Sequence, residues 1–536
     1  MDVQALYSNL DKIAVIDWVI CLGYLGLVVG LGLYFSNKQK SNDDFFLGGR
    51  NMHWLPVGLS LFATTFSSNS FVGLPAEGAF RNYHQLLAIF FIPLVVIPIT
   101  CIWFIPFYKR FGFVSLYEYL ERRFHRGVRL MASIIYMVYS AGWMATMLLA
   151  VTRILNVVLD TESSQQTIII ICAVGFLATL YTAMGGVKAV IWTDTVQAFA
   201  LGGGMIFLFW LLLSRIDGGW STFVTEGEAA NKFEMFRTDG GFGERNIYAA
   251  CAYGFFVYMG GQLASFGAYQ RYITVDSISD ARRALVIKAV FTAIVCTLFF
   301  LVGTGLYVFY QQSFPDVFDS FNSGELKDKL LPHFVVHHAG GFGMLGLLLA
   351  GLFAAAMSSL DSGINSMTAS LVTDWMGGKE RGITHNRYLT AVLGFAVTGF
   401  ACLLSVVDLP VFDILLSIAG ATLGLLLAIL MMGMFIPRMN THGVVGGLFV
   451  GVLVFVCIRM WIPILTEEQL AAVGPFAGLK DNTWWDGIFT TIPCIVSGYI
   501  ICRVTTPPDQ SSLTGLLMRD QTSRTGLLMR DQTSRS

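Results

Sequence analysis

The amino-acid sequence predicts an all-α integral membrane protein, and both its composition and its hydropathy pattern point to that class. Of the 536 residues, 55% are apolar and only 13% are charged, and the mean hydropathy is +0.65. Ordinary soluble domains contain roughly 25% charged residues. Apolar windows long enough for a helix to cross a bilayer recur along the chain. Because open strands cannot satisfy their backbone hydrogen bonds in lipid, we interpret every window as a helix.

The windows number about thirteen, each of about 20 mostly apolar residues. They lie near 13–35, 54–80, 84–108, 128–158, 165–184, 189–215, 246–270, 284–311, 341–374, 387–407, 412–437, 444–462 and 485–504. The first window is not a signal peptide, because Asp2 and Asp11 precede it where a signal would carry positive charge.

The charges between the windows predict how the chain is oriented in the membrane. Alternate connections are basic; they contain Lys38, Lys40 and Arg50, then Lys109, Arg110, Arg122, Arg123 and Arg126, then Arg271, Arg282 and Arg283, and finally Lys379, Arg381 and Arg387. The connections between them are acidic or mixed. By the positive-inside rule, we expect a multi-pass protein of the plasma membrane with its N-terminus outside and its C-terminus in the cytoplasm.

Composition also excludes several function classes. The net charge is −1, and no basic cluster is interleaved with aromatic residues, so nucleic acid is not an expected partner. The sequence contains no HExxH, GxSxG or Walker motif, and we do not expect an enzyme. The expected partners are the lipid bilayer, an ion and a small solute, and nothing in the sequence indicates an obligatory protein partner.

Two windows carry far more polar side chains than contact with lipid allows. The second window holds six of them within Ala63–Ser70, followed by Gly73 and Pro75. The ninth contains the stretch LAGLFAAAMSSLDSGINSMTASLVTD (349–374), which carries Asp361 at its centre. A carboxylate at that depth costs on the order of 2.5–3.5 kcal/mol unless it faces a cavity, an ion or a partner. Helix packing through small residues would explain the hydroxyls but not Asn69. Broken helices at mid-membrane are typical binding elements of secondary transporters.

The sixth window contains GGVKAVIWTDTVQAFAL, in which Asp194 lies a few residues inside an apolar helix. Two interpretations stay open for this carboxylate. It could lie at the interface and pair with Lys188, or it could belong to a polar site inside the membrane.

These stretches together resemble the sodium:solute symporter family. The similar segments are DDFFLGGRNMHWLPVGLSLFAT (43–64), SLYEYLERRF (115–124), GGVKAVIWTDTVQAF (185–199), QRYITV (270–275) and AAAMSSLDSGINS (354–366). The resemblance is strongest to the branch of monocarboxylate, multivitamin and iodide symporters, which shares the LPVGLSL lead-in and the YEYLE–RF pattern.

The resemblance implies a leucine-transporter-type core of two five-helix inverted repeats, placed here at 54–215 and 246–437. An extra transmembrane helix and its cytoplasmic connection occupy 1–53, and two more transmembrane helices occupy 444–504. The cytoplasmic tail, 505–536, contains TGLLMRDQTSR twice, at 514–524 and 525–535. Its polar composition predicts disorder, and we assign it no function.

The resemblance also implies a sodium site. Its ligands would be the carbonyls of Ala63, Phe66 and Ala355 and the hydroxyls of Ser358 and Ser359. Freed carbonyls and serine hydroxyls are hard oxygen ligands, which suit a small hard cation. The expected ion is therefore Na⁺, moving with the solute.

A second cation site is implied around Asp194, which matches an acidic residue beside the sodium site of the family. In members that carry two sodium ions, that residue acts with hydroxyls matching Ser358 and Ser362. Asp361 departs from the family pattern, which has a small or hydroxyl residue there, and it could add a ligand for this cation. Alternatively, Asp361 is paired with a basic residue or kept protonated by burial. We predict no Lys or Arg deep in a neighbouring span, Arg153 being the nearest candidate.

Substrate contacts are inferred by position. Sugar-transporting members of the family use Glu, Ser and Lys where this chain has Ile89, Ile92 and Thr292, which disfavours a hexose. The candidate contacts are Phe66, Ser67, Ser70, Tyr258, Gln262, Ser417 and Thr422. Hydroxyls, an amide and aromatic rings suit a small carboxylate or similar anion better than a polyol.

The sequence therefore predicts a sodium-coupled secondary active symporter that imports a small solute by alternating access. The expected solute is an organic anion, such as a monocarboxylate or a vitamin, or an inorganic anion. Two alternatives stay open: a sodium symporter for a neutral solute such as a sugar or an amino acid, and a passive channel or facilitator.

Overall fold

The computed structural model describes residues 14–36, 41–66, 68–159, 164–322, 324–339, 343–378, 382–406, 411–509 and 513–520. These residues form helices and connections, and no strand occurs among them. Ten of their helices are long and apolar enough to cross a membrane. The all-α membrane architecture that composition predicts is therefore confirmed.

The helices follow one another in the first half of the chain as α1 (Val15–Ser36), α2 (Asn42–Leu47), α3 (Trp54–Thr65), α4 (Ser68–Phe80), α5 (His84–Phe111), α6 (Glu118–Arg123), α7 (Arg126–Leu159), α8 (Ser164–Arg215) and α9 (Gly219–Ala229). The second half contains α10 (Ile247–Leu263), α11 (Phe266–Thr274), α12 (Ile278–Ser313), α13 (Pro315–Phe321), α14 (Leu330–His337), α15 (Met344–Ser370), α16 (Ile383–Leu404), α17 (Val411–Phe435), α18 (Thr441–Val456), α19 (Glu467–Val473) and α20 (Asp486–Val504).

Three predicted spans take a form other than one straight helix. The window 54–80 is broken into α3 and α4. The windows 165–184 and 189–215 are joined in α8, whose 52 residues would measure about 78 Å if straight, more than twice the thickness of the hydrocarbon core. The chain bends at Gly186 (φ 59°, ψ −178°), a conformation that favours glycine, so that α8 crosses twice.

The window 246–270 is divided between the 17-residue α10 and the short α11. If α3–α4 and α10 are counted as one crossing each and α8 as two, the ten candidate spans of the described residues become thirteen, the number that the sequence predicts.

The polar helix α15 lies at the centre of the molecule rather than against lipid. It packs against α8, α7, α1 and the broken helix. Ser358, Ser359 and Asp361 are each at most 1% exposed. The broken helix packs in turn on α12, where the backbones approach so closely that a Cβ on Gly58 would lie 2.5 Å from the carbonyl of Ala284. This approach places the N-terminal turns of α12 against the N-terminal half of the broken helix, α3.

One segment of the tail is ordered against the protein, contrary to the predicted disorder. In the described part, 513–520, Leu517 is buried and the Met518 N–H donates to the carbonyl of Met434. The Tyr119 hydroxyl donates to the carbonyl of Leu516 at 3.0 Å. The apolar residues of the repeat explain the packing, because they cover the end of α17. The second copy of the repeat lies outside the described residues.

Candidate functional site

The break between α3 and α4 frees backbone oxygens at the centre of the molecule. α3 ends at Thr65, and Phe66 is extended (φ −111°, ψ 111°) before α4 begins at Ser68. The last carbonyls of a helix have no intrahelical partner, so a break inside the membrane leaves them available to other groups. Ser67, a predicted substrate contact, lies outside the described residues.

Four of the five predicted sodium ligands, Ala63, Ala355, Ser358 and Ser359, lie together where α15 passes this break. The Ser358 hydroxyl donates to the carbonyls of Ala63 and Ala355, each at 3.1 Å. The Ser359 hydroxyl lies 3.4 Å from the carbonyl of Thr64 and 3.5 Å from that of Ala355. Phe66 forms the break itself. The structure therefore places uncharged oxygens from both helices within hydrogen-bond distance of one another, which is the donor set that a small monovalent cation requires.

A buried arginine, which sequence reasoning assigns to a cytoplasmic connection, lies next to this set. Arg271 on α11 is 1% exposed. Its guanidinium donates to the Ser60 hydroxyl at 2.7 Å, the Thr64 hydroxyl at 2.8 Å and the Gly267 carbonyl at 3.0 Å, and it also bonds the Ser362 hydroxyl. The expectation that no Lys or Arg lies deep beside α15 is wrong, because the chain turns back into the protein after α10 and buries Arg271 on α11.

Asp194 pairs with Arg271 and not with Lys188. The distance from its Oδ2 to Nη2 of Arg271 is 3.2 Å, and the Ser60 hydroxyl donates to the same oxygen. Lys188 instead lies 3.5 Å from Asp44. Asp194 is fully buried, so it belongs to the interior polar site and not to a helix end at the interface.

Asp361 lies in the same region, and its side chain contacts Tyr181 of α8. Its Oδ1 accepts the N–H of Ser362 at 2.7 Å, and its Oδ2 accepts the Tyr181 hydroxyl at 3.3 Å. The predicted second-cation residues Asp194, Asp361 and Ser362 are therefore neighbours, with the Arg271 guanidinium bonded to two of them.

A cavity of about 140 Å³ opens beside the break and the α15 hydroxyls. Of the predicted substrate contacts, Phe66, Ser70, Tyr258 and Gln262 line it. Ser359, one of the predicted sodium ligands, also lines the cavity. An ion bound by these ligands, which we call the sodium cage, and a solute in the cavity would therefore lie side by side. Such proximity is what coupled transport of an ion and a solute requires.

Ser417 and Thr422 do not line the cavity. The face that α17 turns to it consists of Leu416, Ala419 and Leu423, and the Thr422 hydroxyl donates to the carbonyl of Ile418 in its own helix. Helical spacing explains the difference, because positions 416, 419 and 423 share one face. Of the three positions where sugar transporters carry polar groups, Ile89 and Ile92 line the cavity, and Thr292 is buried outside it.

Lys288 on α12 is a cavity residue that sequence reasoning missed. It is 4% exposed, and its ammonium donates to Gln262 Oε1 at 2.6 Å. The sequence carries one signal of it, a single lysine inside the apolar run ALVIKAVFTAIV, which is also typical of a lysine reaching back to the interface. Other missed lining residues are Gln85, Tyr136, Tyr139, Trp143, Tyr253 and Arg271.

Comparison with known proteins agrees with these features. The profile of the Sodium:solute symporter family matches residues 45–451. A sodium/sialic acid symporter of Proteus mirabilis is 29% identical over 514 residues, which cover 94% of this chain and 98% of that protein. The human sodium-coupled monocarboxylate transporter 2 is 27% identical over 95% of this chain and 87% of its own.

Solved structures extend the likeness to the fold. A substrate-bound, outward-open sodium-coupled sialic acid symporter superposes with a TM-score of 0.79 and 27% identity, over 93% of this chain and 99% of that one. That symporter has a Na⁺ site described as novel.

The membrane-spanning helices, the broken helix and the likeness to a sodium-coupled symporter define a secondary transporter of the leucine-transporter-type fold. The chain belongs to the sodium:solute symporter family. It is a multi-pass membrane protein that couples sodium to the transport of a small solute, and it is not an enzyme.

Proposed function

We propose that this symporter imports a small anion together with sodium. The observation that carries the proposal is the charge of the cavity. None of the described residues that line the cavity is Asp or Glu, whereas two basic residues, Arg271 and Lys288, line it. Asp194 lies behind Arg271 and balances its charge. Lys288 adds a positive charge that an anionic solute would neutralise.

The sodium ion would bind at the carbonyls of Ala63, Phe66 and Ala355 and the hydroxyls of Ser358 and Ser359. The convergence of Ser358 with Ala63 and Ala355 supports this assignment. A second cation would lie near Asp194 and Asp361. Supporting it, the Asp194 Oδ1 atom is buried and has no hydrogen-bond partner among the described residues.

The orientation that we propose keeps the N-terminus outside and the C-terminus in the cytoplasm of a plasma membrane. Arg271 no longer counts toward it, because its side chain is buried. Three basic residues remain near one another at one end of α5 and α12: Lys109, Arg282 and Arg283. Lys109 donates to the carbonyl of Asp276, and Arg282 donates to the carbonyl of Cys101. Clustered basic residues of this kind favour the cytoplasmic side.

Uptake into proteoliposomes tests the proposal. Small carboxylic acids are compared with their uncharged amides, under an inward sodium gradient and under a potassium gradient of the same size. Sodium-dependent accumulation of an acid and not of its amide is expected. Accumulation of neutral sugars or amino acids would favour a neutral-solute symporter. Equilibration without accumulation would favour a passive facilitator, and either result would contradict the proposal.

A further inference from the structure

The ammonium of Lys288 is held by the side chain of Gln262, and Lys288 itself lines the cavity. Gln262 Oε1 accepts one of its hydrogen bonds at 2.6 Å. The Gln262 amide is itself fixed, because its Nε2 bonds the Tyr272 hydroxyl and that hydroxyl donates to the Gln262 carbonyl at 2.9 Å. A lysine ammonium carries three donors. Gln262 uses one, and Lys288 is among the residues that line the cavity.

No carboxylate among the described residues pairs with Lys288, in contrast to Arg271, whose guanidinium meets Asp194. A buried cation is costly unless an anion or a set of hydrogen bonds compensates it. A neutral amide oxygen compensates only part of that cost. The missing anion would therefore come from outside the chain, and the cavity is the route by which it reaches Lys288.

Part of the wall of the same cavity is aromatic. Tyr139 and Trp143 of α7 have ring centroids 5.7 Å apart, and Tyr253 and Tyr258 of α10 have ring centroids 5.1 Å apart. All four line the cavity. Aromatic faces and edges favour flat apolar groups, which they contact by offset stacking or edge-to-face.

The volume of the cavity indicates the size of the solute that these walls enclose. Its volume of about 140 Å³ is close to that of an apolar protein cavity of roughly 150 Å³ that binds benzene. A single six-membered ring with a short charged group fits this volume. A sialic acid, with its sugar ring and its two side chains, is much larger.

We infer that Lys288 is the anion-binding group of the cavity, and that the solute is a monocarboxylate whose body is flat, apolar and about the size of one aromatic ring. The carboxylate meets Lys288, and the ring lies between the aromatic side chains of α7 and α10. This inference rests on the proposed sodium-coupled anion symport and specifies its substrate class.

Binding of benzoate and benzamide to the purified full-length protein tests the inference, because the two probes differ mainly in charge. Sodium-dependent thermal stabilisation and titration calorimetry measure binding without requiring turnover. Benzoate is expected to bind and benzamide to bind at least about tenfold more weakly, as for loss of one charge-assisted hydrogen bond. N-acetylneuraminate is expected not to compete.

Variants assign the charge to Lys288. Lys288→Met should weaken benzoate binding by about tenfold or more and weaken benzamide binding much less, so that the preference for benzoate is lost, while Lys288→Arg should retain that preference. Stabilisation by sodium alone shows that each variant is folded. Lys232→Met is the matched control, because Lys232 is also a buried lysine but bonds the carbonyls of Ala79 and Arg81 and does not line the cavity.

The outcomes separate this inference from the function on which it rests. If a folded Lys288→Met binds benzoate as the parent does, or if Lys232→Met weakens it equally, Lys288 is not the anion site. If only aliphatic or polyhydroxylated acids bind, the inference of a flat aromatic-sized solute is wrong, whereas the proposed anion symport is retained. If no acid is taken up with sodium while a neutral solute is, the proposed function fails and the inference fails with it.

Discussion

Arg271 and Lys288 are two buried cations that line one cavity, and they differ in what compensates their charge. Arg271 has a carboxylate, two hydroxyls beside it on the broken helix, a carbonyl and Ser362. Lys288 has one amide oxygen. A cation that the protein neutralises contributes to the fold and to coupling between helices. A cation that the protein leaves partly compensated is available to a ligand.

The largest effect that follows from this contrast is on stability. We expect Arg271→Met to lower the free energy of unfolding by about 3–5 kcal/mol, because it leaves Asp194 as a buried carboxylate without a cation. Thermal unfolding in detergent measures the loss. The double variant with Asp194→Asn should recover part of it. An Arg271→Met protein as stable as the parent would show that the ion pair is not integral to the fold.

Lys288→Met tests the other cation of this comparison by the same measurement of stability. We expect its free energy of unfolding to change by less than about 1 kcal/mol. The loss of the hydrogen bond to Gln262 destabilises the protein. Removal of a buried charge that is only partly compensated stabilises it, so the two contributions nearly cancel. The same thermal unfolding assay measures it. A decrease as large as that of Arg271→Met would place Lys288 in the structural framework and contradict its role as a ligand group.

The sodium cage extends the comparison to a cation held by uncharged oxygens. Ser359→Ala removes one hydroxyl from the set that faces the α3–α4 break, and we expect the apparent sodium affinity to fall about tenfold. Thermal stabilisation as a function of sodium concentration measures the affinity, with potassium as the control ion. An unchanged sodium curve, or equal stabilisation by potassium, would contradict this placement of the ion.

How well the sequence predicts each region depends on how local the relevant physics is. The hydroxyl-rich break and α15 stand out because polar side chains at membrane depth need a local explanation, and the two helices do meet, through the hydrogen bond of Ser358 to Ala63. Arg271 is different. Its segment, QRYITV, has the composition of a connection, and only the packing of α11 against α3 and α15 reveals that it is buried.

The same limit applies to the solute cavity. The predicted contacts Gln262 and Tyr258 line the cavity, whereas Ser417 and Thr422 lie off the face of α17 that does. A hydroxyl on a helix is polar in the sequence whether or not it faces the cavity. Packing sets which face of the helix it lies on, and the Thr422 hydroxyl donates to the carbonyl of Ile418 in its own helix. Lys288 is ambiguous for the same reason, since its sequence position fits both the interface and the interior.

The smallest expected effect concerns Asp361, a carboxylate near Arg271 that no basic residue among the described ones pairs with by an ion pair. If it helps to bind a second cation with Asp194 and Ser362, Asp361→Asn should reduce the Hill coefficient for sodium or abolish a pH dependence of transport, with less than about a threefold change in half-maximal sodium concentration. The substitution keeps one acceptor oxygen, so it retains one of the two hydrogen bonds that Asp361 accepts, from the Tyr181 hydroxyl or from the Ser362 N–H. Uptake in proteoliposomes over a range of sodium concentrations and pH values measures both quantities. A variant with the sodium cooperativity and pH profile of the parent would show that Asp361 is structural and is not a ligand of a second cation.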